Sequence, residues 1–339
     1  MSVHHLSAFS RTPVKTSGFF SVGTEAHFSS PAGLVVDGSG NVIVADTKNH
    51  RIRKIGPDGR VSTLAGGGTA GFVDGQGAQA RFHNPTGVVV DGSGNVIVAD
   101  SLNHRIRKIT PDGTVSTLAG NGTVGFVDGQ STEAQFSKPI DVAVDRDGYF
   151  IVTGNISQRI WKISPEGNVS TLAGGGRTGF ADGQGRGAQF CFPVGVAVDL
   201  EGYSIVADYA NNRIRKISPE GNVSTLAGGG TAGFVDGQSA QALFDHPTGV
   251  VVDRSGNVIV ADSSNYRIRM ITPDGTVSTL AGNGTEGFVD GQGTEAQFKW
   301  PRGVAVDSDG NVVVTDLQNH RIRKVAAGLT PPSTPVVRA

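Results

Sequence analysis

An all-β fold, a six-bladed β-propeller of four-stranded antiparallel blades closed by the chain's own N-terminus, is what this sequence predicts. Three observations carry it. Pro31, Pro85, Pro139, Pro193, Pro247 and Pro301 recur every 54 residues. Each period holds strand-length runs rich in Val and Ile. The sixth copy stops near Val325, one strand short of the others.

A Phe stands three residues before each proline, from Phe28 to Phe298, so all six copies share one register. A second symmetry overlies the first. Residues 61–136 match residues 223–298 at 66 of 76 positions, the mark of a duplicated block.

The second period reads GVVVD, GSG, NVIVAD, a short loop, RIRKI, the turn TPDGT and VSTLAG. The apolar runs are short and β-branched. Gly94 and Gly113 stand at the third loop position, where a type I turn with a bulge needs positive φ. Four short antiparallel strands follow. One such sheet alone would expose two apolar faces, whereas six twisted sheets around an axis bury both. The truncated sixth copy needs an outer strand from residues 1–24, expected around Leu6 to Phe9. The propeller then spans residues 25–326, and residues 327–339 form a Pro-rich tail.

Composition narrows the function classes. The 339 residues carry 29 Lys plus Arg against 30 Asp plus Glu, so the counterion-release term that drives nucleic-acid binding is weak. A single cysteine, Cys191, rules out an internal disulfide framework. No run reaches the roughly 18 apolar residues of a membrane span. The first twenty residues lack the apolar stretch of a signal peptide, but they are Ser-rich and free of acids, so organelle targeting and secretion stay open beside a soluble cytoplasmic chain.

The loops between second and third strands carry a family resemblance. ADTKNHRIRKI, ADSLNHRIRKI and TDLQNHRIRKV resemble NHL repeats, over residues 25–325. The resemblance implies a six-bladed propeller that binds proteins and, in some members, RNA. Long linkers such as GGGTAGFVDGQGAQARFHNP depart from the shorter family pattern.

Simple hairpin pairing sets Asp46 opposite Arg51, which predicts a cross-strand ion pair in five blades. Asn49 and its equivalents are expected to hold the loop through backbone bonds. In the linker, Asp74 is expected to cap one helical turn with Ala80 and Phe82 facing inward, and Phe72 and Phe82 to pin the loop. Linkers and NHL loops should share one face, the upper one. Residues 145–149 and 307–311 place oxygen atoms at alternate positions as calcium loops do, but no bidentate Glu follows, so they read as turns.

The third blade breaks the pattern. Its VTGNISQRIWKI carries Gly154, Ser157 and Trp161 where the preceding copy has Asp, Asn and Arg, and Asp141 replaces the Gly of every other inner strand. Register sets Asp141 opposite Thr153, away from Arg159. It should point toward Arg105 or Arg213 of a neighbouring blade, or toward the upper mouth of the channel. With Asn155, Gln158 and Trp161 it would form one side of a pocket. Two readings stand: drift compensated between blades, and a ligand site. His246, Tyr266, Trp300 and Arg302 are the side chains suited to anchor a partner.

These readings converge on a monomeric, non-catalytic scaffold that binds a protein or peptide on its upper face, with no cofactor, no metal, no membrane and no nucleic acid. The alternatives are a hydrolase or lyase with an axial metal, and multivalent sugar or RNA binding. The axial strand residues, mostly Gly, Val and Ala, offer no ligand set for such a metal.

Overall fold

A computed structural model of the chain describes residues 20–22 and 26–326. Six antiparallel sheets succeed one another along the chain. Blade 1 consists of an inner strand Pro31–Val36, a second strand Val42–Asp46, a third strand Arg51–Ile55 and an outer strand Val61–Ala65. Blades 2 to 5 repeat this order over residues 85–119, 139–173, 193–227 and 247–281. Blade 6 begins with Pro301–Val306, Val312–Asp316 and Arg321–Val325.

The N-terminus completes blade 6. Phe20–Val22 pairs antiparallel with its third strand, with Phe20 opposite Lys324 and Val22 opposite Ile322. The closing strand therefore lies later than expected, where the chain runs beside that open edge. Leu6 to Phe9 fall outside the described residues.

Burial follows from the two-residue period of a strand. In blade 1, Val42 and Val44 pack against blade 6, while Ile43 and Ala45 pack against blade 2. The second strand is thus buried on both faces. Six apolar clusters result, one at each junction between neighbouring blades, and the cluster joining Leu34 and Val44 to Ala305 and Val313 closes the ring. At the axis the inner strands crowd together. A Cβ on Gly33 would stand 2.5 Å from the Thr86 carbonyl oxygen, so five blades carry Gly there.

The linkers do more than lie on the upper face. Asn103 Nδ2 holds the Gly71 carbonyl beside the upper loop of blade 2, at 2.7 Å. Beyond it the chain descends the outer edge of blade 2. Gly75–Gln76 adds a fifth strand against Val115 and Thr114, and Gln76 Nε2 donates to the Asp112 carbonyl in the lower turn. An outer strand left bare would expose a row of unpaired backbone groups, and the linker covers part of it. A 3-10 turn, Gly77–Gln79, then returns the chain so that Ala80 and Phe82 bury fully between blades 1 and 2. The inward Ala and Phe are as expected. Asp74 is not the cap; Gln76 holds that position.

The lower turns are turns. Asp307 Oδ1 accepts the Asp309 and Asn311 N–H groups at 3.0 and 2.8 Å, and Lys324 pairs with its other oxygen at 2.7 Å. Asp145 accepts from Asp147 and Tyr149 in the same way.

Candidate functional site

The repeated charges form clips, with a different partner from the one pairing suggests. Asp46 does lie opposite Arg51, but its carboxylate bonds Arg53 at 3.1 Å, two residues further on. The same shift recurs in Asp100–Arg107, Asp208–Arg215, Asp262–Arg269 and Asp316–Arg323, at 2.7–3.1 Å. The reason is reach. The arginine nearest the hairpin turn is drawn outward onto a linker Phe, with Arg105 3.8 Å from the Phe72 ring centre and Arg267 3.7 Å from that of Phe234.

The inner arginine is enclosed completely. Arg107 donates to Asp100, to the Arg81 and Val73 carbonyls and to Asp74, and lies over the Phe72 and Phe82 rings. Two carboxylates and two carbonyls offset the cost of burying one guanidinium. Asp74 is therefore the linker's anchor on the blade. Asn103 works beside it, donating to Asp100 Oδ2 at 2.8 Å as well as to Gly71.

The last residue of five upper loops clasps the following blade. His50 and His104 Nδ1 accept the backbone N–H groups of Asn84 and Lys138, both at 3.1 Å. Gln158 Oε1 accepts from Phe192 at 2.7 Å, Asn212 Oδ1 from His246 at 2.9 Å, and His320 Nδ1 from Ser30 at 3.0 Å across the ring closure. Donor and acceptor residues all sit at φ near +50°, which the clasp holds in place. The sixth junction differs. Tyr266 bonds Glu286 at 3.3 Å instead, and the Trp300 N–H has no such side-chain acceptor among the described residues.

Blade 3 resolves as a coupled exchange. Trp161 fills the place of the inner arginine, fully buried and edge-on to Phe136 at 4.9 Å. A Cβ on Gly154 would collide with the Trp161 ring and Ser157 Oγ, so carboxylate and indole cannot coexist. Ser157 turns back to the Gly154 carbonyl at 2.9 Å. Trp161 and Ser157 accommodate the exchange inside the blade, and an arginine of the next linker completes it. Arg159 loses nothing, because its equivalents bind the linker and not the carboxylate. Asp128, left without an inner arginine, takes Arg186 at 2.8 Å and Thr171. Trp161 is thus packed in the core and Gln158 holds the clasp, both of them buried.

Asp141 faces Thr153 as expected and extends the inner strand's pairing by one step. Its side chain points to neither Arg105 nor Arg213. It enters the axial channel, where one oxygen accepts from Val142 at 3.0 Å and the other from Val196 of blade 4 at 3.1 Å. Burial pushes its carboxyl up to about 6. Arg302 enters the same channel from blade 6, and burial lowers its guanidinium's affinity for the proton.

Tyr209, at the first upper-loop position of blade 4, joins this group. Burial and the Asp245 carboxylate push its phenol's pKa up while Arg302 opposes them, and its ring lies 4.5 Å from His246, which pairs with Asp245 at 2.5 Å. Asn155 holds the same loop position in blade 3 and buries its Oδ1 without a donor. Tyr266 and Trp300 form a second group with Glu286 and Lys299, which pair at 2.8 Å. The structure so divides the expected site: Asp141 and Arg302 meet in the channel, His246 lies near its rim through Tyr209, and Tyr266 stands at the blade 5 to 6 junction next to Trp300.

The NHL-repeat family model matches residues 28–55, 82–109, 244–269 and 298–325, each beginning at a linker Phe and running into the third strand after it. The chain carries NHL repeats. This NHL-repeat chain is 31% identical to Protein SUPPRESSOR OF QUENCHING 1, chloroplastic, of Arabidopsis thaliana, over 87% of its own length and 30% of that protein. It is 31% identical to NHL repeat-containing protein 2 of Bos taurus, over 86% of its length and 46% of that protein. It thus spans less than half of these relatives. Among solved structures, a protein of unknown function from Bacteroides thetaiotaomicron shares the fold at a TM-score of 0.70 and 18% identity, covering 91% of this chain and 75% of that one. A gluconolactonase from Xanthomonas campestris does so at 0.59 and 16%, covering 88% and 86%.

Sequence reasoning missed Tyr209, Asp245, Glu286 and Lys299. Two of them carried a signal: Tyr209 is the aromatic among six first-loop residues, and Glu286 stands where the duplicated block has Val124. No helix among the described residues of the NHL-repeat chain is long and apolar enough to cross a membrane.

Proposed function

We propose that this chain is a rigid, non-catalytic interaction scaffold that takes a protein or peptide on the upper rim of its propeller. The supporting observation is the distribution of exposed apolar side chains. Phe72, Phe126, Phe180, Phe234 and Phe288 are each 40–45% exposed under an arginine, and Val73, Val127, Val235 and Val289 stand beside four of them. Apolar surface repeated at this density on linkers is characteristic of a binding surface. Trp300, Tyr266 and Lys299 add the aromatic and charged anchors that concentrate binding energy, at the junction where the clasp is missing.

Hydrolase or lyase chemistry with an axial metal is less well supported. Among the described residues no three His, Cys, Asp or Glu side chains converge as a metal would require. Asp141 is the carboxylate among the channel-lining residues.

The test is selection of peptides from a displayed library, followed by affinity measurement against two variants. Trp300→Ala with Tyr266→His, the latter the residue blade 2 carries, should weaken binding at least tenfold. Leu200→Ala on the lower face should leave it unchanged. Selected peptides that ignore the first variant and respond to the second would overturn the reading.

A further inference from the structure

We propose that the upper mouth of the axial channel is a binding site for a small zwitterion of the α-amino acid class, its carboxylate on Arg302 and its ammonium on Asp141. The site is separate from the rim surface and does not depend on it.

The argument begins with the lining. Blades 3 and 6 stand opposite each other in a ring of six, and they alone place charges in the channel. Every other lining residue is Ala, Gly, Thr, Val or Ile. Asp141 and Arg302 feel each other's charge without a direct ion pair between them. Opposite charges that face one chamber without touching leave a dipolar gap, and a dipolar guest fits it.

The two charged groups have hydrogen-bonding capacity left over, which points the same way. The Arg302 guanidinium is walled in by protein, its remaining free surface opens onto the channel, and no side chain or carbonyl of the described residues accepts from it. Asp141 is held by one N–H on each oxygen, which fixes its rotamer and leaves a lone pair on each for the channel. The blade 3 side of the mouth therefore offers acceptors, and the blade 6 side offers donors.

Charge and size select the guest. A simple anion would face Asp141 and a simple cation would face Arg302, each across a short low-dielectric gap. One molecule carrying both charges satisfies both walls. The neck leaves only about 20 Å³ for a water centre, close to what one water needs. The head group therefore seats at the mouth rather than in the neck, and the ligand's side chain stays above, toward Tyr209 and His246.

Thermal shift and calorimetry on the full chain test this, using glycine and alanine against acetate alone, methylammonium alone and the two together, at matched ionic strength. The amino acids should raise Tm and give saturable heat, and the separated halves should not. Asp141→Gly and Arg302→Thr each install the residue of a sister blade, so both variants should fold, as their ligand-free melting would show. Each should weaken amino acid binding at least tenfold. The proposal is overturned if acetate matches glycine, if neither amino acid binds at tens of millimolar, or if binding survives in both folded variants.

Discussion

Gly154 and Trp161 occupy the two positions that form a buried ion pair in five other blades, and each fits only with the other. Trp161→Arg alone would bury a guanidinium with no inner carboxylate opposite it, a cost of about 3–5 kcal/mol. Gly154→Asp alone would drive a carboxylate into the indole. The double variant rebuilds the sister-blade clip and should recover most of the loss, measured as a coupling energy by denaturant unfolding. If the two single losses simply add, the exchange is not coupled. At this scale the sequence was partly legible. The hairpin placed Asp46 opposite Arg51 correctly, because Cα register follows from loop length. Which arginine reaches the carboxylate does not, because the outer one is captured by Phe72-type rings from a linker more than thirty residues away.

Loops and linkers set how the blades respond to acid. His50 and His104 accept hydrogen bonds at Nδ1, so each clasp needs a neutral ring, and burial lowers both imidazoles below 6.5. With the folded value below the unfolded one, their stabilisation is full above about pH 6.5 and is lost as pH falls through the folded values. His50→Asn with His104→Asn copies the Asn212 clasp and should flatten that acid slope, read as Tm against pH from 7.5 to about 5. An unchanged slope would place the acid sensitivity elsewhere. Asp141 works in the opposite direction. Its raised carboxyl stabilises most below the ordinary carboxylate range, and that contribution fades as pH rises toward 6, so Asp141→Asn should remove it. In the linkers, Phe82→Ala should cost about 3–5 kcal/mol by denaturant unfolding, as for any fully buried ring. That burial was legible from the Phe three residues before each proline. The role of Asp74 was not, because its partner Arg107 lies on the far side of the next blade's inner strands.

The molecule as a whole depends on its closing strand. Six prolines at one spacing made the blade count readable, but Phe20–Val22 shares no residue pattern with VSTLAG and so gave no signal of its position. Its role is backbone pairing, which any extended segment reaching that edge can supply. Deleting residues 1–24 should lower Tm and expose the edge formed by Arg321–Val325, and self-association through that edge should appear as higher-mass species in light scattering. A truncated chain that melts unchanged and stays monomeric would show that closure adds nothing.

Five junctions are latched and the sixth, between Tyr266 and Trp300, is not. The adjoining blade is also the one assembled from both chain ends. Mechanically this makes the protein a split washer whose gap and seam lie side by side, so that whatever loosens it will spread it there first. Amide exchange should be fastest across that sector, beside the aromatic pair best placed to grip a visitor.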